Sequence, residues 1–214
     1  MTGADKTPGP FAGKSWTKYY EARRSQSVRS LLTRALELFA AAGREPGRAI
    51  DLGCGEGTDT LELLQRGWRV LAVDSSEEGI SRTRDLAEAA ALTELLETRC
   101  AGFEDLGALP SVDLVYSAVS LPFCAPAHFE GLWQRIRAAV EPSGWISVQL
   151  FGPNDTWATN VLMTFLSRDG VEELLAGLEV HVLDERDEDG QAVSGPKHWH
   201  VFDVIAGPPE IGLR

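Results

Sequence analysis

The chain has 214 residues, with 32 acidic side chains against 20 lysines and arginines, and a formal net charge of -12. At 43% hydrophobic and 24% charged it has the make-up of a folded domain, and it lacks the roughly 18 to 20 uninterrupted apolar residues of a membrane span. Binding to nucleic acid or anionic membrane relies on clustered positive charge, so neither is expected as a partner.

Residues 1–26 are expected to be an N-terminal tail and candidate active-site lid, loose over Met1 to Gly13. Residues 27–214 are expected to form one domain. Ser27 to Ala42 carries apolar residues at helical spacing and ends at Gly43. Arg48 to Leu52 reads as a short buried strand running into glycines. Thr58 to Gln65 is helical, and Arg69 to Val73 is a strand ending at Asp74. Glu77 to Leu92 is an amphipathic helix, with Ser75 and Ser76 as candidate caps. Leu95 to Cys100 and Val112 to Val119 are strands. Ala127 to Val140 is a helix stopped at Glu141-Pro142. Trp145 to Phe151 is a strand, Asp169 to Leu175 a short helix, and Leu178 to Leu183 and Trp199 to Ala206 the last strands. The acidic stretch Asp184 to Gly195 between them reads as a solvated hairpin loop.

Strands separated by helices specify a mainly parallel sheet, and the last two strands, with no helix between them, pair as an antiparallel hairpin. The expected fold is α/β, a Rossmann-like sheet of about seven strands with the last one antiparallel and helices on both faces. Ligands of such sheets bind beyond the carboxyl ends of the strands, where strand order reverses. Met1 to Lys14 lacks the apolar stretch of a signal peptide. The three cysteines, Cys54, Cys100 and Cys124, include no close pair. A reducing, cytoplasmic setting is therefore expected.

The strongest local signal is Asp51-Leu52-Gly53-Cys54-Gly55-Glu56-Gly57, where the first strand meets a helix. Glycines there permit a tight turn and let a ligand approach the backbone. The spacing is D-x-G-x-G-x-G rather than the dinucleotide pattern G-x-G-x-x-G. Asp74 closes the second strand, where a carboxylate can accept bonds from both hydroxyls of a ribose.

With these two signals the sequence resembles the class I S-adenosylmethionine-dependent methyltransferases over roughly Ser27 to Phe151. The resemblance implies S-adenosylmethionine as cofactor and S-adenosylhomocysteine as product. It implies that Gly53, Cys54 and Gly55 pack on the cofactor, that Asp51 lies near its ammonium, and that Asp74 binds its ribose beside Ser75. Phe103 and Glu104 would flank the adenine, although Gly102 stands where a common form of the family has Asp. Trp16 to Tyr20, Ser120 to Cys124, Phe151 to Trp157 and Lys197 to His200 look like the branch that includes tellurite-resistance methyltransferases. By that likeness Tyr20 and Arg29 help hold the cofactor, Arg29 through its carboxylate.

In this fold the segment from Ser117 to Cys124 runs past the sulfonium methyl. Its Ser120-Leu121-Pro122-Phe123 differs from the Asn/Asp-Pro-Pro-aromatic motif of amide and adenine-N6 methyltransferases. The expected acceptor pocket comprises Tyr20, Leu121, Phe123, Trp157 and His198. His198 and His200 share one face of the last strand. Either one of them takes a proton from the acceptor, or both are structural. A functional thiol, if present, is Cys124; no metal is expected. The implied activity is methyl transfer to an O, N, S or chalcogen atom of a small molecule, by a monomer or homodimer. The alternatives are a non-catalytic protein binding the same cofactor and a nicotinamide-dependent oxidoreductase.

Overall fold

A computed structural model describes residues 27–140 and 142–209, together with Thr17 and Tyr20. The strands are β1 (Arg48–Leu52), β2 (Arg69–Asp74), β3 (Leu96–Cys100), β4 (Leu114–Ser117), β5 (Trp145–Phe151), β6 (Glu179–Ala192) and β7 (Gly195–Gly207). They form one seven-stranded sheet in the order β3-β2-β1-β4-β5-β7-β6. β1 to β5 pair in parallel, and β7 is antiparallel to both β5 and β6. All strands but the last therefore run the same way.

The alternation of each strand decides what packs on it. Ile50, Leu52, Leu71, Val73, Val115, Ile146 and Val148 join the core under α4 (Pro126–Val140) and α5 (Arg168–Leu174). Ala49, Val70, Ala72, Leu114 and Tyr116 join the core under α1 (Ser30–Ala41), α2 (Thr58–Gln65) and α3 (Glu77–Ala89). Asp51 and Tyr116 are register partners on that second face. Strand order reverses at β1 and β4, so the crevice beyond their carboxyl ends is the natural ligand position. Among the described residues no helix is long and apolar enough to cross a membrane.

Three sequence expectations are corrected. The first helix begins at Ser30, because Arg29 is still extended. β4 ends at Ser117 rather than Val119, because Val119 sits at φ +56° and cannot continue a strand. The stretch expected as an acidic loop is strand: β6 and β7 continue past the sheet as a two-stranded ribbon, joined only by Val193 and Ser194. Composition argued for a loop, but β6 is an edge strand, where charge is tolerated and guards against further pairing. Its acids also find cross-strand partners, Asp189 opposite His198 and Asp187 opposite His200. Residues 1–26 other than Thr17 and Tyr20, including the loose tail and most of the candidate lid, lie outside the described residues.

The turn from β1 into α2 depends on Gly57. Its φ is +88°, and a Cβ there would stand 2.7 Å from the Thr83 hydroxyl and 2.8 Å from the Thr83 Cα. Left-handed backbone alone costs a non-glycine residue about 1 to 2 kcal/mol, and the backbone clash adds to it. Gly57→Ala is expected to lower the thermal midpoint measurably in a calorimetric scan.

Candidate active site

Asp74 ends β2 with its carboxylate facing the glycine loop. It accepts the Gly55 N–H at 2.9 Å through one oxygen and the Ser76 N–H at 2.8 Å through the other. The second lone pair on each oxygen suits a vicinal diol. Burial pushes the carboxyl above its usual range, against the pull of those two N–H groups. Ser76, not Ser75, caps α3, its hydroxyl accepting the Gly79 N–H at 3.2 Å. Tyr20 is buried against this loop, with Gly55 and Gly79 close to its ring and hydroxyl. Arg82 lies 5.5 Å over its ring. Ala101 to Glu104 follow β3 beside Asp74, and the Ala101 N–H donates to the Asp74 carbonyl.

Asp51 is 2% exposed at the end of β1. The Thr60 hydroxyl donates to it at 2.6 Å. Desolvation pushes its pKa up to about 8, with Asp59 and Asp74 adding to the rise and Arg29 opposing it. Asp59, at the start of α2, accepts the Arg29 N–H at 3.0 Å and the Tyr116 hydroxyl at 2.8 Å, and pairs with Arg29 Nε at 3.4 Å.

The exit from β4 is pinned to this loop. Ser117 and Ser120 both donate to the Leu52 carbonyl, at 2.7 and 2.8 Å. Gly53 makes this possible, since a Cβ there would stand 2.2 Å from the Ser120 hydroxyl. Beyond this exit lies an aromatic cluster. Trp157 has its ring 6.1 Å from Phe123, 6.1 Å from Phe151 and 5.8 Å from Trp199. Lys197 is buried inside the cluster and ion-paired with Asp155, which is itself buried. Its ammonium stands 3.8 Å over Trp199, 4.4 Å over Trp157 and 5.2 Å over Phe151. The Asp155 carboxylate also accepts the Trp157 N–H at 2.9 Å.

Residues 49–144 match the methyltransferase domain family. A trans-aconitate 2-methyltransferase of Mycolicibacterium gilvum (strain PYR-GCK) is 35% identical over 114 residues, 52% of this chain and 41% of the relative. A tRNA 5-carboxymethoxyuridine methyltransferase of Escherichia coli (strain K12) is 24% identical over 163 residues, 74% of this chain and 61% of the relative. The crystal structure of TehB from Haemophilus influenzae superposes with a TM-score of 0.74 at 14% identity, covering 89% of this chain and 65% of that one. The chain shares the Rossmann-like methyltransferase fold, and its residues 49–144 carry the match to the methyltransferase domain family. It spans about two-fifths and three-fifths of the length of these two curated relatives.

The residues present fit the cofactor of the class I methyltransferases. The loop offers backbone without side chains at Gly53 and Gly55. Asp74 offers acceptors to a ribose, and Asp51 is a buried carboxylate that a cation beside it would relieve. Of the residues expected to bind, Tyr20, Arg29, Asp51, Gly53, Gly55, Asp74, Ser75, Phe103 and Glu104 all lie around the carboxyl ends of β1, β2 and β3. Ser117 and Cys54 have other partners: Ser117 is buried on the Leu52 carbonyl, and the Cys54 thiol sits in the core 3.7 Å from the Thr83 hydroxyl.

The expected acceptor set is brought together only in part. Phe123 and Trp157 share the aromatic cluster, but Leu121 is fully buried in the core on the α4 side. His198 lies on the opposite face of β7 from Lys197 and Trp199, with its ring nitrogens 2.7 Å from Asp189 and 2.6 Å from Asp187. Those carboxylates hold it protonated to higher pH than an ordinary histidine. His200 is buried, accepts the Asn154 N–H at Nδ1 and faces Glu185 through Nε2 at 2.9 Å. In this arrangement the ring nitrogens of both are engaged by carboxylates and a backbone N–H, which favours the structural one of the two expected roles. Burial pushes the Cys124 thiol up to about 12, which suppresses its thiolate.

Asp59, Tyr116, Asp155 and Lys197 were not singled out from sequence. Asp59 looks like an ordinary acid at a helix start, and Tyr116 like a core residue. Only the β1–β4 register and the β7 pairing bring them to the site. The Lys197-His-Trp-His200 motif lies on the part of β7 that carries Lys197 and Trp199 into the aromatic cluster.

Two outcomes are expected. Lys197→Met leaves Asp155 buried and unpaired, so it should lower unfolding free energy by about 3 to 5 kcal/mol in denaturant titration. Asp51 has an ordinary value of 3.8 and about 8 in the ligand-free fold. Between those values the folded state alone keeps the proton, so stability falls as pH rises toward 8. Asp74 and His198 are also raised and act in the same direction. Thermal midpoints across this range should decline less steeply in Asp51→Asn than in the parent.

Proposed function

We propose that this chain transfers the methyl group of S-adenosylmethionine to an O, N, S or chalcogen atom of a small molecule. The observation that carries this reading is one continuous arrangement. A glycine loop, with Asp51 at the end of β1 and Asp74 at the end of β2 beside it, adjoins the β4 exit and the aromatic cluster around Trp157. The cofactor supplies an electrophilic methyl when bound. The chain's own task is then to orient the nucleophile and keep water out.

Glycine backbone, Asp74 and Asp51 would hold the nucleoside and amino-acid ends, with Tyr20 covering the loop. Phe123, Trp157 and Trp199 would form the acceptor wall. Since the ring nitrogens of His198 and His200 are engaged by carboxylates and a backbone N–H, the reading favours an acceptor that needs no protein base. A soft nucleophile such as a thiol or chalcogenide fits, as does an oxygen already ionised at neutral pH. One relative is named for a substrate in tRNA. Here the net charge of -12 and the exposed acids from Asp184 to Asp189 support a small acceptor over a polyanion.

Isothermal titration tests the cofactor part. S-adenosylmethionine and S-adenosylhomocysteine should bind in the micromolar range, NAD and NADP should not, and Asp74→Ala should weaken binding at least about tenfold. Transfer of labelled methyl to tellurite, trans-aconitate, simple thiols and phenols, with bulk tRNA alongside, tests the acceptor part. Label entering tRNA alone would overturn the small-molecule reading.

A further inference from the structure

Asp59 is more elaborately held than a helix start requires. An acid in the first turn of α2 would complement the helix dipole equally well from the surface. Instead Asp59 is 8% exposed. It takes bonds from two elements outside its helix: the Arg29 N–H, with Arg29 Nε beside it, and the Tyr116 hydroxyl of β4. A carboxylate buried with three donors converging on it serves as an anchor for one of them. Tyr116 is itself fixed in β4, directly opposite Asp51 in the sheet. Arg29 is the long, adaptable partner, and two contacts on one carboxylate fix both its backbone and its guanidinium.

The place where Arg29 is held is chemically specific. Asp59 brings it to the end of β1: Tyr116, which donates to Asp59, is the register partner of Asp51, and Thr60, the residue after Asp59, donates to Asp51, so the guanidinium's charge favours the ionised form of Asp51. An anchored guanidinium beside a buried carboxylate is the complement of a zwitterion. The ammonium of an amino acid faces the carboxylate, and its carboxylate faces the guanidinium. A nucleoside without that end gains nothing from the pair.

We propose that Asp59 is a positioning residue that fixes the Arg29 guanidinium beside Asp51 and so recognises the amino-acid end of the cofactor. This rests on the reading that the site holds S-adenosylmethionine. Asp59 touches no reacting atom; it acts through Arg29.

The test compares two ligands by isothermal titration. S-adenosylhomocysteine carries the amino-acid end, and 5′-methylthioadenosine keeps the thioether nucleoside without it. Asp59→Asn preserves the shape and an acceptor for the Arg29 N–H but removes the charge. It should weaken S-adenosylhomocysteine at least about tenfold and leave 5′-methylthioadenosine unchanged. Tyr116→Phe removes one donor to Asp59 and should act in the same selective direction, by about threefold. Circular dichroism checks that each variant is folded; if Asp59→Asn is not, Tyr116→Phe carries the same comparison. A folded variant that weakens both ligands alike, or neither, overturns the proposal and assigns Asp59 to the helix start alone. A parent protein that binds neither ligand refutes the cofactor reading itself.

Discussion

A carboxylate buried at the end of the central strand constrains everything around it. Asp51 cannot stay ionised there without compensation, because its desolvation outweighs the single Thr60 bond. The surrounding sequence responds in two ways. Arg29 brings positive charge within reach, and Asp59 with Tyr116 ties Arg29 down. The protein still leaves Asp51 well above its ordinary range. Stability of the fold and ionisation of Asp51 thus pull in opposite directions.

The second constraint is the short distance between the glycine loop and the β4 exit. The Leu52 carbonyl takes two hydroxyls, from Ser117 and Ser120, and Gly53 must lack a side chain to admit them. That pinning forces the chain to turn at once, and Val119 takes up a left-handed conformation unusual for a β-branched residue. The turn carries Val119 and Phe123 into the aromatic cluster. Strain at this point is held by bonds on one side and packing on the other. The glycine loop and the aromatic cluster are therefore mechanically one unit.

Local patterns made the fold readable. The strand and helix alternation, the glycine loop and Asp74 are all written in consecutive residues with their own turn chemistry. The boundaries of α2 and β5 follow from that chemistry without tertiary information. What stayed hidden depends on pairing between distant segments. The β6 ribbon looks like a solvated loop because its charges are stabilised by β7 partners that composition does not show. His198 and His200 look like bases because alternation gives their face but not the carboxylates that wait on it. Asp59 and Tyr116 become a site only through the register of β1 with β4. Lys197 and Asp155 become a buried pair only when β7 closes against the segment after β5.

The family match runs over residues 49–144 and ends before β5 begins. Phe151, Asp155, Trp157, Lys197 and Trp199 all lie beyond it. In that second region an internal cation fills the aromatic cage from within. A free aromatic cage selects cationic ligands; one already occupied by Lys197 instead fixes the rings in place. The position of the rings is set by the Lys197–Asp155 pair, through the Trp157 N–H on the same carboxylate. The rings of this cluster are thus set chiefly by residues outside the shared stretch, whereas the glycine loop, Asp51 and Asp74 lie within it.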